Sequence, residues 1–385
     1  MKRVISFVLK PNKNQQIILG CLTYASSKLW NIANYERKNW VKESGLEYPN
    51  WFKQKKELKN HFWYKNLPFQ SAQEVLKQLN ESWKSFYTLK KTGGVGNPKP
   101  PKFKHSKFNV RYLNKGFKCL ENSIRLSIPK QLQNYLKERF SITDKFLNIA
   151  CPKEIHGIPK IIEIIPQANK SYSINIIVDL PDVNLKADNS IYMSIDLGIN
   201  NLMAAYLSTG ETFIISGRQI LSINNYFDKK TAYCQGISDS QQSAKGIQYP
   251  KKSKRVKQLY IKRAKQIDHV LHTATKRVMD IAEQYNVCKI IIGDITNIRD
   301  NKDLGNTTNQ KFHKWPFKKI SDKLTYKAEQ QGIAIERQEE SYTSQCSPHA
   351  EKVSKEYAVK SNRKHRGLYK EGAQIYNAEG VNSFK

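Results

Sequence analysis

Acidic residues are scarce in this chain. Asp and Glu number 33 against 65 Lys and Arg over 385 residues, a formal net charge of +32. An excess of that size repels itself, strongly disfavours a compact chain standing alone and favours a polyanion partner. Nucleic acid suits better than an anionic membrane surface, because phosphate neutralisation releases counterions, and no basic amphipathic helix with a clear apolar face is visible. Cysteine is sparse as well. The six, at positions 21, 119, 151, 234, 288 and 346, form no Cys-x-x-Cys pair. That pattern excludes a legible disulfide framework or zinc ribbon and suits a reducing, cytoplasmic setting. Long apolar runs are missing too, so no bilayer span is expected. The opening residues 1–10 read as an amphipathic strand, too short for a secretory leader.

What is present fills several cores. Hydrophobic residues make up 39%, and the length allows two or three domains. After the opening strand, Pro11 and Asn12 lead into a helix with Ile18, Leu22, Ala25, Leu29 and Ile32 at helical spacing. Further helix is expected around 51–60 and 71–89, with Trp30, Trp40, Trp51, Trp63 and Trp83 mostly in the core. A Gly- and Pro-rich break at 90–107 carries no acid, and its Lys99, Lys102, Lys104 and Lys107 read as phosphate-seeking side chains. From 108 to 185 short apolar runs at 123–128, 161–165 and 172–180 suggest a small β-barrel or antiparallel sheet.

Residues 191–202 are the most informative. An apolar strand runs into Asp196, a Gly-containing turn follows, and a second strand starts near Met203. A carboxylate at a first-strand exit with a hairpin behind it is how an RNase H-like active site begins. Carboxylate oxygen suits Mg²⁺, which can activate water against a phosphodiester. Read alone, the segment is equally a surface turn that happens to contain Asp. Beyond it come a strand at 211–215 and a polar stretch at 217–250. A basic run follows, with Lys251, Lys252, Lys254, Arg255, Lys257, Lys262 and Arg263 as candidate phosphate contacts. A separate helical run at 267–285 leads into a buried strand ending at Gly293 and Asp294. Helix 318–331 and strand 333–338 repeat that crossover.

These landmarks, in this order, resemble the TnpB (OrfB) family of insertion-sequence proteins, relatives of the type V CRISPR effectors. The resemblance rests on Lys10-Pro11, Gln15-Gln16 and Pro98-Lys-Pro-Pro-Lys-Phe-Lys104. It continues through Asp196-Leu-Gly-Ile-Asn-Asn201, Asn309-Gln310, Tyr326-Lys327-Ala328, Glu340-Ser-Tyr-Thr-Ser-Gln345, Arg366-Gly-Leu-Tyr369 and Asn377-Ala378. It implies a multidomain α/β plus β-barrel protein. Residues 1–10 and 92–188 would form a wedge-like barrel, 11–91 an inserted helical recognition lobe, and 189–385 an RNase H-like, RuvC-like nuclease domain. The partners implied are a guide RNA and double-stranded target DNA, with no membrane partner. The protein would read heteroduplex shape while base pairing reads sequence. Monomer and dimer both stay open.

The chain departs from the family pattern where the chemistry lies. The resemblance implies three carboxylates holding Mg²⁺. Asp196 fits the first position, but Gly293 stands where the family's usual second Glu falls. Glu340 is the candidate replacement, with Asp294 as an alternative that strand alternation turns to the other face. Glu379 takes the third position, where the pattern has Asp, and Lys385 closes the chain six residues on. No zinc is expected, since Cys346-Ser-Pro-His349 has no partner pair. Two functions follow from the resemblance: an RNA-guided Mg²⁺-dependent DNA endonuclease of the transposase-accessory type, or a nuclease-inactive guided DNA-binding repressor or transposon remnant. Composition alone allows a third, a basic RNA-binding protein on an RNase H-like scaffold.

Overall fold

The computed structural model describes every residue except 42–44, 94–95, 168–169, 295–304, 339–341, 366–367, 379–381 and 383–385, and not the side chains of 306–308 and 365. The chain divides into two compact units, Met1–Asp182 and Val183–Lys385. In the first unit β1 (Lys2–Leu9) is followed by α1 (Lys13–Lys38), α2 (Trp51–Glu57), α3 (Phe62–Lys65) and α4 (Phe69–Thr92). Then come β2 (Val110–Leu113), β3 (Phe117–Leu120), β4 (Ser123–Ser127), α5 (Lys130–Phe140), β5 (Phe146–Ala150), β6 (Ile158–Pro166) and β7 (Tyr172–Asp179).

Helix α1 starts where the sequence places it. Asn12 accepts from the Gln15 N–H, and the Gln15 side chain accepts from the Asn12 N–H, a reciprocal cap that satisfies two orphan donors. Its face Ile18, Leu22, Ala25, Leu29 and Ala33 is buried against the Val75–Leu76–Leu79 face of α4 in one core with the sheet residues. Arg37 is buried here, its Nε donating to Gln54 Oε1 at 2.9 Å and its Nη1 to Asn80 Oδ1 at 3.1 Å. Burial pushes that guanidinium below its ordinary range and lifts the neighbouring Tyr48 hydroxyl to about 12. Helix α4 ends at Gly93, whose φ of 67° is left-handed.

The strands of this unit correct the barrel expectation. Among the described residues they form two open antiparallel sheets, ordered β1-β7-β6-β2 and β3-β4-β5, and no closed barrel. Strand β1 pairs with β7 over its whole length, Lys2 opposite Asp179 to Leu9 opposite Tyr172. The chain's first and last strands of the unit are therefore neighbours. Helix α5 is an addition to the sequence reading; its short apolar face rests on Leu132 and Leu136.

The second unit opens with β8 (Tyr192–Asp196), β9 (Asn201–Leu207) and β10 (Thr212–Ser216). It goes on through α6 (Arg218–Ser243), α7 (Lys254–Gln284), β11 (Lys289–Gly293), α8 (Asn306–Lys314), α9 (Phe317–Gln330) and β12 (Ala334–Gln338), and ends in β13 (Arg363–His365), β14 (Leu368–Glu371) and β15 (Gln374–Asn377). A five-stranded sheet runs β10-β9-β8-β11-β12, and β13-β14-β15 form a separate one. Strands β8, β9 and β10 are antiparallel neighbours, while β11 is parallel to both β8 and β12. Two helical expectations change. The polar stretch after 217 is a 26-residue helix, missed because only Ile220, Asn224 and Phe227 mark its buried face. The basic run and the helical run expected on either side of residue 266 are one continuous 31-residue α7; no Gly or Pro separates them.

Gly332 closes the α9–β12 turn at φ +67°, where an added Cβ would lie 2.4 Å from the Asn184 carbonyl oxygen. Its own carbonyl accepts from the Lys186 N–H at 2.7 Å. Gly332→Ala should cost about 1–3 kcal/mol and lower the urea midpoint of the second unit at unchanged slope. Gly236 lies inside α6 with nothing within 4 Å of its missing Cβ. Gly236→Ala should move that midpoint the opposite way, by about 0.5–1 kcal/mol.

Candidate functional site

The parallel pairing of β8 with β11 sets what stands beside Asp196. Their register aligns Met193 with Ile290 and Ile195 with Ile292, and all four side chains lie in the second unit's core. Residues opposite each other share a face and successive residues alternate. Asp196, half-buried at the end of β8, therefore belongs to the other face. One step further in register stands Gly293, which pairs in turn with Gln338 of β12. Asp196, Gly293 and Gln338 are abreast on three neighbouring strands.

Asp294 is exposed, with its N–H bonded to the Gln338 carbonyl at 2.7 Å. It follows the strand by one residue, so the register puts Gly293 and not Asp294 beside Asp196. Glu340 and Glu379 lie outside the described residues. Among the described residues no group of three His, Cys, Asp or Glu side chains is close enough to hold a metal ion. The fit of Mg²⁺ thus rests on Asp196 together with carboxylates beyond that set.

The turn after Asp196 is held from two sides. An added Cβ at Gly198 would lie 2.6 Å from the Asn201 carbonyl oxygen, so the hairpin closes only without a side chain there. Gly217, just before α6, donates its N–H to the Asn200 carbonyl at 2.7 Å. A Cβ on Gly217 would fall 2.0 Å from the Ile199 oxygen and 3.1 Å from the Trp315 ring. Gly217 went unremarked in the sequence, where its only signal is a glycine between a strand and a polar stretch.

The candidate phosphate contacts divide into free and committed cations. Residues 101–108 are strapped to α1. Trp30 Nε1 donates to the Lys102 carbonyl at 3.1 Å, Asn34 Nδ2 to the Pro101 carbonyl at 2.9 Å, and Asn31 bonds both the N–H and the carbonyl of Lys104. Lys99 and Lys102 leave their side chains exposed. Lys107, also exposed, donates to the Tyr172 hydroxyl at 3.3 Å. Lys104 is half-buried, with Nζ 4.4 Å from the Trp30 ring centroid and 4.7 Å from that of Phe108, and burial lowers its pKa.

On α7 and the residues before it, Lys251, Lys252, Lys254, Arg255, Lys257 and Lys262 are exposed. Arg263 is half-buried and clamps α6, its Nε and Nη2 donating to Asn224 Oδ1 at 2.9 and 2.7 Å. Cys346 is buried, with its thiol on the Ser354 carbonyl at 3.4 Å. No helix among the described residues is long and apolar enough to cross a membrane.

With this geometry in hand, comparison with known proteins gives three agreeing results. The OrfB family model, described as a probable transposase, matches residues 175–299. TnpB-like protein ORF457 of Acidianus two-tailed virus is 24% identical over 90% of this chain and 79% of its own. A TnpB-like protein of Methanocaldococcus jannaschii is 34% identical over 26% of this chain and 36% of its own. Among solved structures, a Cas12f1–sgRNA–target DNA complex aligns with a TM-score of 0.63 at 15% identity, covering 97% of this chain and 83% of that one. The fold is thus a multidomain α/β fold of the kind Cas12f1 has. The matches together support a member of the TnpB family, in line with the order of motifs in the sequence.

One of those motifs has a structural role. In Tyr326-Lys327-Ala328, Lys327 Nζ donates to the His272 carbonyl at 2.9 Å and to Thr275 Oγ1 at 2.8 Å, locking α9 onto α7. Burial, helped by Lys323, lowers its pKa to about 8. The unfolded chain keeps that proton to a pH of about 10.4, so it binds more protons than the folded state between the two values. Stability of the second unit should therefore rise with pH from about 8 towards 10.4. The rise should be smaller in Lys327→Met, measured as the pH dependence of the urea midpoint in both proteins.

Proposed function

We propose that this chain is an RNA-guided DNA-binding protein of the TnpB type whose second unit is a RuvC-like, Mg²⁺-dependent DNA endonuclease. The observation that carries the reading is the sheet β10-β9-β8-β11-β12, with Asp196 at the exit of its central strand. Three antiparallel strands followed by two parallel ones is the arrangement expected of an RNase H-like domain. A likeness over nearly the whole chain to a Cas12f1 solved with its sgRNA and target DNA supports RNA and DNA as partners. The net charge of +32 fits the same partners.

In this reading Asp196, Glu340 and Glu379 hold Mg²⁺, a hard cation that takes carboxylate oxygen. Bound there, Mg²⁺ supplies an activated water and charge stabilisation at the scissile phosphate. Asp196 fixes the position of the first ligand because its turn is pinned by Gly198 and Gly217. The exposed lysines hold the nucleic-acid backbones, and base pairing with the guide supplies sequence choice.

A second reading has its own observation. Gly293 in register with Asp196 leaves β11 without a carboxylate beside it, which favours a guided DNA-binding protein without nuclease activity. One experiment separates the two. Guide-loaded protein given matched duplex DNA and Mg²⁺ should cut it, and Asp196→Ala should reduce the single-turnover rate by at least about 100-fold, beyond the roughly 10–100-fold typical of residues that only orient a metal ligand. Affinity for the matched DNA should stay unchanged. Tight, guide-dependent binding without cutting by the wild type would establish the second reading instead.

A further inference from the structure

Helix α6 is more than a spacer between β10 and α7. One face of it, Ile220, Asn224 and Phe227, is buried. A second stripe flanks that face, turned roughly a third of the way round the helix, and carries large side chains into solvent: Tyr226 at 55% exposure, Tyr233 at 71% and Ile237 at 45%. Scattered exposed aromatics are ordinary on a protein surface, but a stripe of them on one helix face marks a contact surface. Lys230 sits within the stripe, its Nζ 5.3 Å from the Tyr226 ring centroid and 3.1 Å from the hydroxyl. Lys230 and Lys262 hold that hydroxyl below the ordinary phenol range, a sign of a cationic setting.

Charge identifies what could lie there. Between Arg218 and Lys265 there are twelve Lys and Arg against two Asp. A second copy of the chain would bring like charge onto like charge, whereas rings interleaved with cations are the pattern that binds single strands. Position narrows the choice further. The helix begins at Gly217, which is hydrogen-bonded to the turn following Asp196. At about 1.5 Å of rise per residue, Tyr226 lies about 13 Å along the helix from Gly217 and Tyr233 about 24 Å.

We propose that the Tyr226–Lys230–Tyr233 face of α6 is a stacking rail for unpaired DNA, delivering the single strand to be cut towards Asp196. This rests on Asp196 being the cleavage site. The two rings are about 10 Å apart along the axis, close to three nucleotides at the roughly 3.4 Å stacked spacing of one strand. The bases would stack on the tyrosines, Lys230 would hold the Tyr226 ring in place, and the exposed lysines of α7 would neutralise phosphates.

The test uses guide-loaded protein without divalent metal and a fluorescein-labelled oligothymidylate of about 15 nucleotides, a length within reach of one single-strand site. Tyr226→Ala/Tyr233→Ala should weaken binding at least tenfold, to judge from stacking losses of about 1–3 kcal/mol per base. The Phe pair, which keeps both rings, should bind as the wild type does. Affinity for a DNA duplex of equal length should not change in either. Photocrosslinking of a 5-iododeoxyuridine oligonucleotide to the wild type should map to α6, independently of any variant. Undiminished binding by the Ala pair, equal loss in the Phe pair, a parallel loss for duplex, or crosslinks only outside α6 would each overturn the rail. Asp196→Ala should retain full oligothymidylate affinity. Absence of cleavage in the wild type would count against the nuclease reading and leave the binding result standing.

Discussion

Backbone pairing between β8 and β11 is the constraint on which the second unit's chemistry depends. A parallel pair has no freedom to choose its neighbours once the apolar faces are fixed. Met193, Ile195, Ile290 and Ile292 must all enter one core, and a slip by one residue would turn every one of them to the other side. Hydrophobic burial thereby decides, at no contact with substrate, that Asp196 has Gly293 for a neighbour and Gln338 beyond it. The sheet therefore fixes the place of Asp196 and brings no second carboxylate beside it from β11 or β12.

The first unit shows how a very basic chain keeps its cations from destabilising it. Some are buried and hydrogen-bonded, as Arg37 is between Gln54 and Asn80. Some are laid on aromatic faces, as Lys104 is on Trp30 and Phe108. Arg263 and Lys327 act as clamps between helices in the second unit. What remains is exposed: Lys99 and Lys102 in the first unit, and the start of α7 with Lys254, Arg255, Lys257 and Lys262 in the second. Dividing committed from free cations matters because only the free ones gain from phosphate: a cation already held by an aromatic ring or a side-chain oxygen must give up that contact first. The free set, not the formal net charge, measures the surface available to a polyanion.

Much of this was legible in the sequence, and the losses have physical causes. The α1 start, the Asp196 hairpin, the crossover into β11 and the α9–β12 repeat all stand within a few residues of where periodicity and turn chemistry put them. Helix α6 was not legible because a helix with one narrow buried stripe and a polar remainder looks like a loop to a pattern built on apolar spacing. The single long α7 was read as two segments because its first half is basic and its second half apolar, a change in surroundings and not in backbone. The short alternating strands left a small barrel and an antiparallel sheet both open, and the sheet is what forms; alternation reports only that one face is buried. Which strands pair, and whether the last meets the first, depends on contacts far apart in sequence. Lys104 and Arg263 illustrate the same limit: a basic run announces charge but not which of its members are already bound within the fold.

Gly217 connects these threads. Its missing side chain lets the start of α6 close on the Ile199–Asn200 backbone, so one contact both stiffens the turn that presents Asp196 and sets where α6 departs. A functional side chain at a strand exit keeps its direction only on a rigid support. The helix that provides the support also bears the exposed rings of Tyr226 and Tyr233. Precision at the carboxylate and the placement of an aromatic, cationic surface leading away from it are therefore set by the same close approach. A Cβ there would disturb both together: the Ile199 carbonyl and the Trp315 ring leave no space on either side, and the helix would have to leave the sheet at another angle.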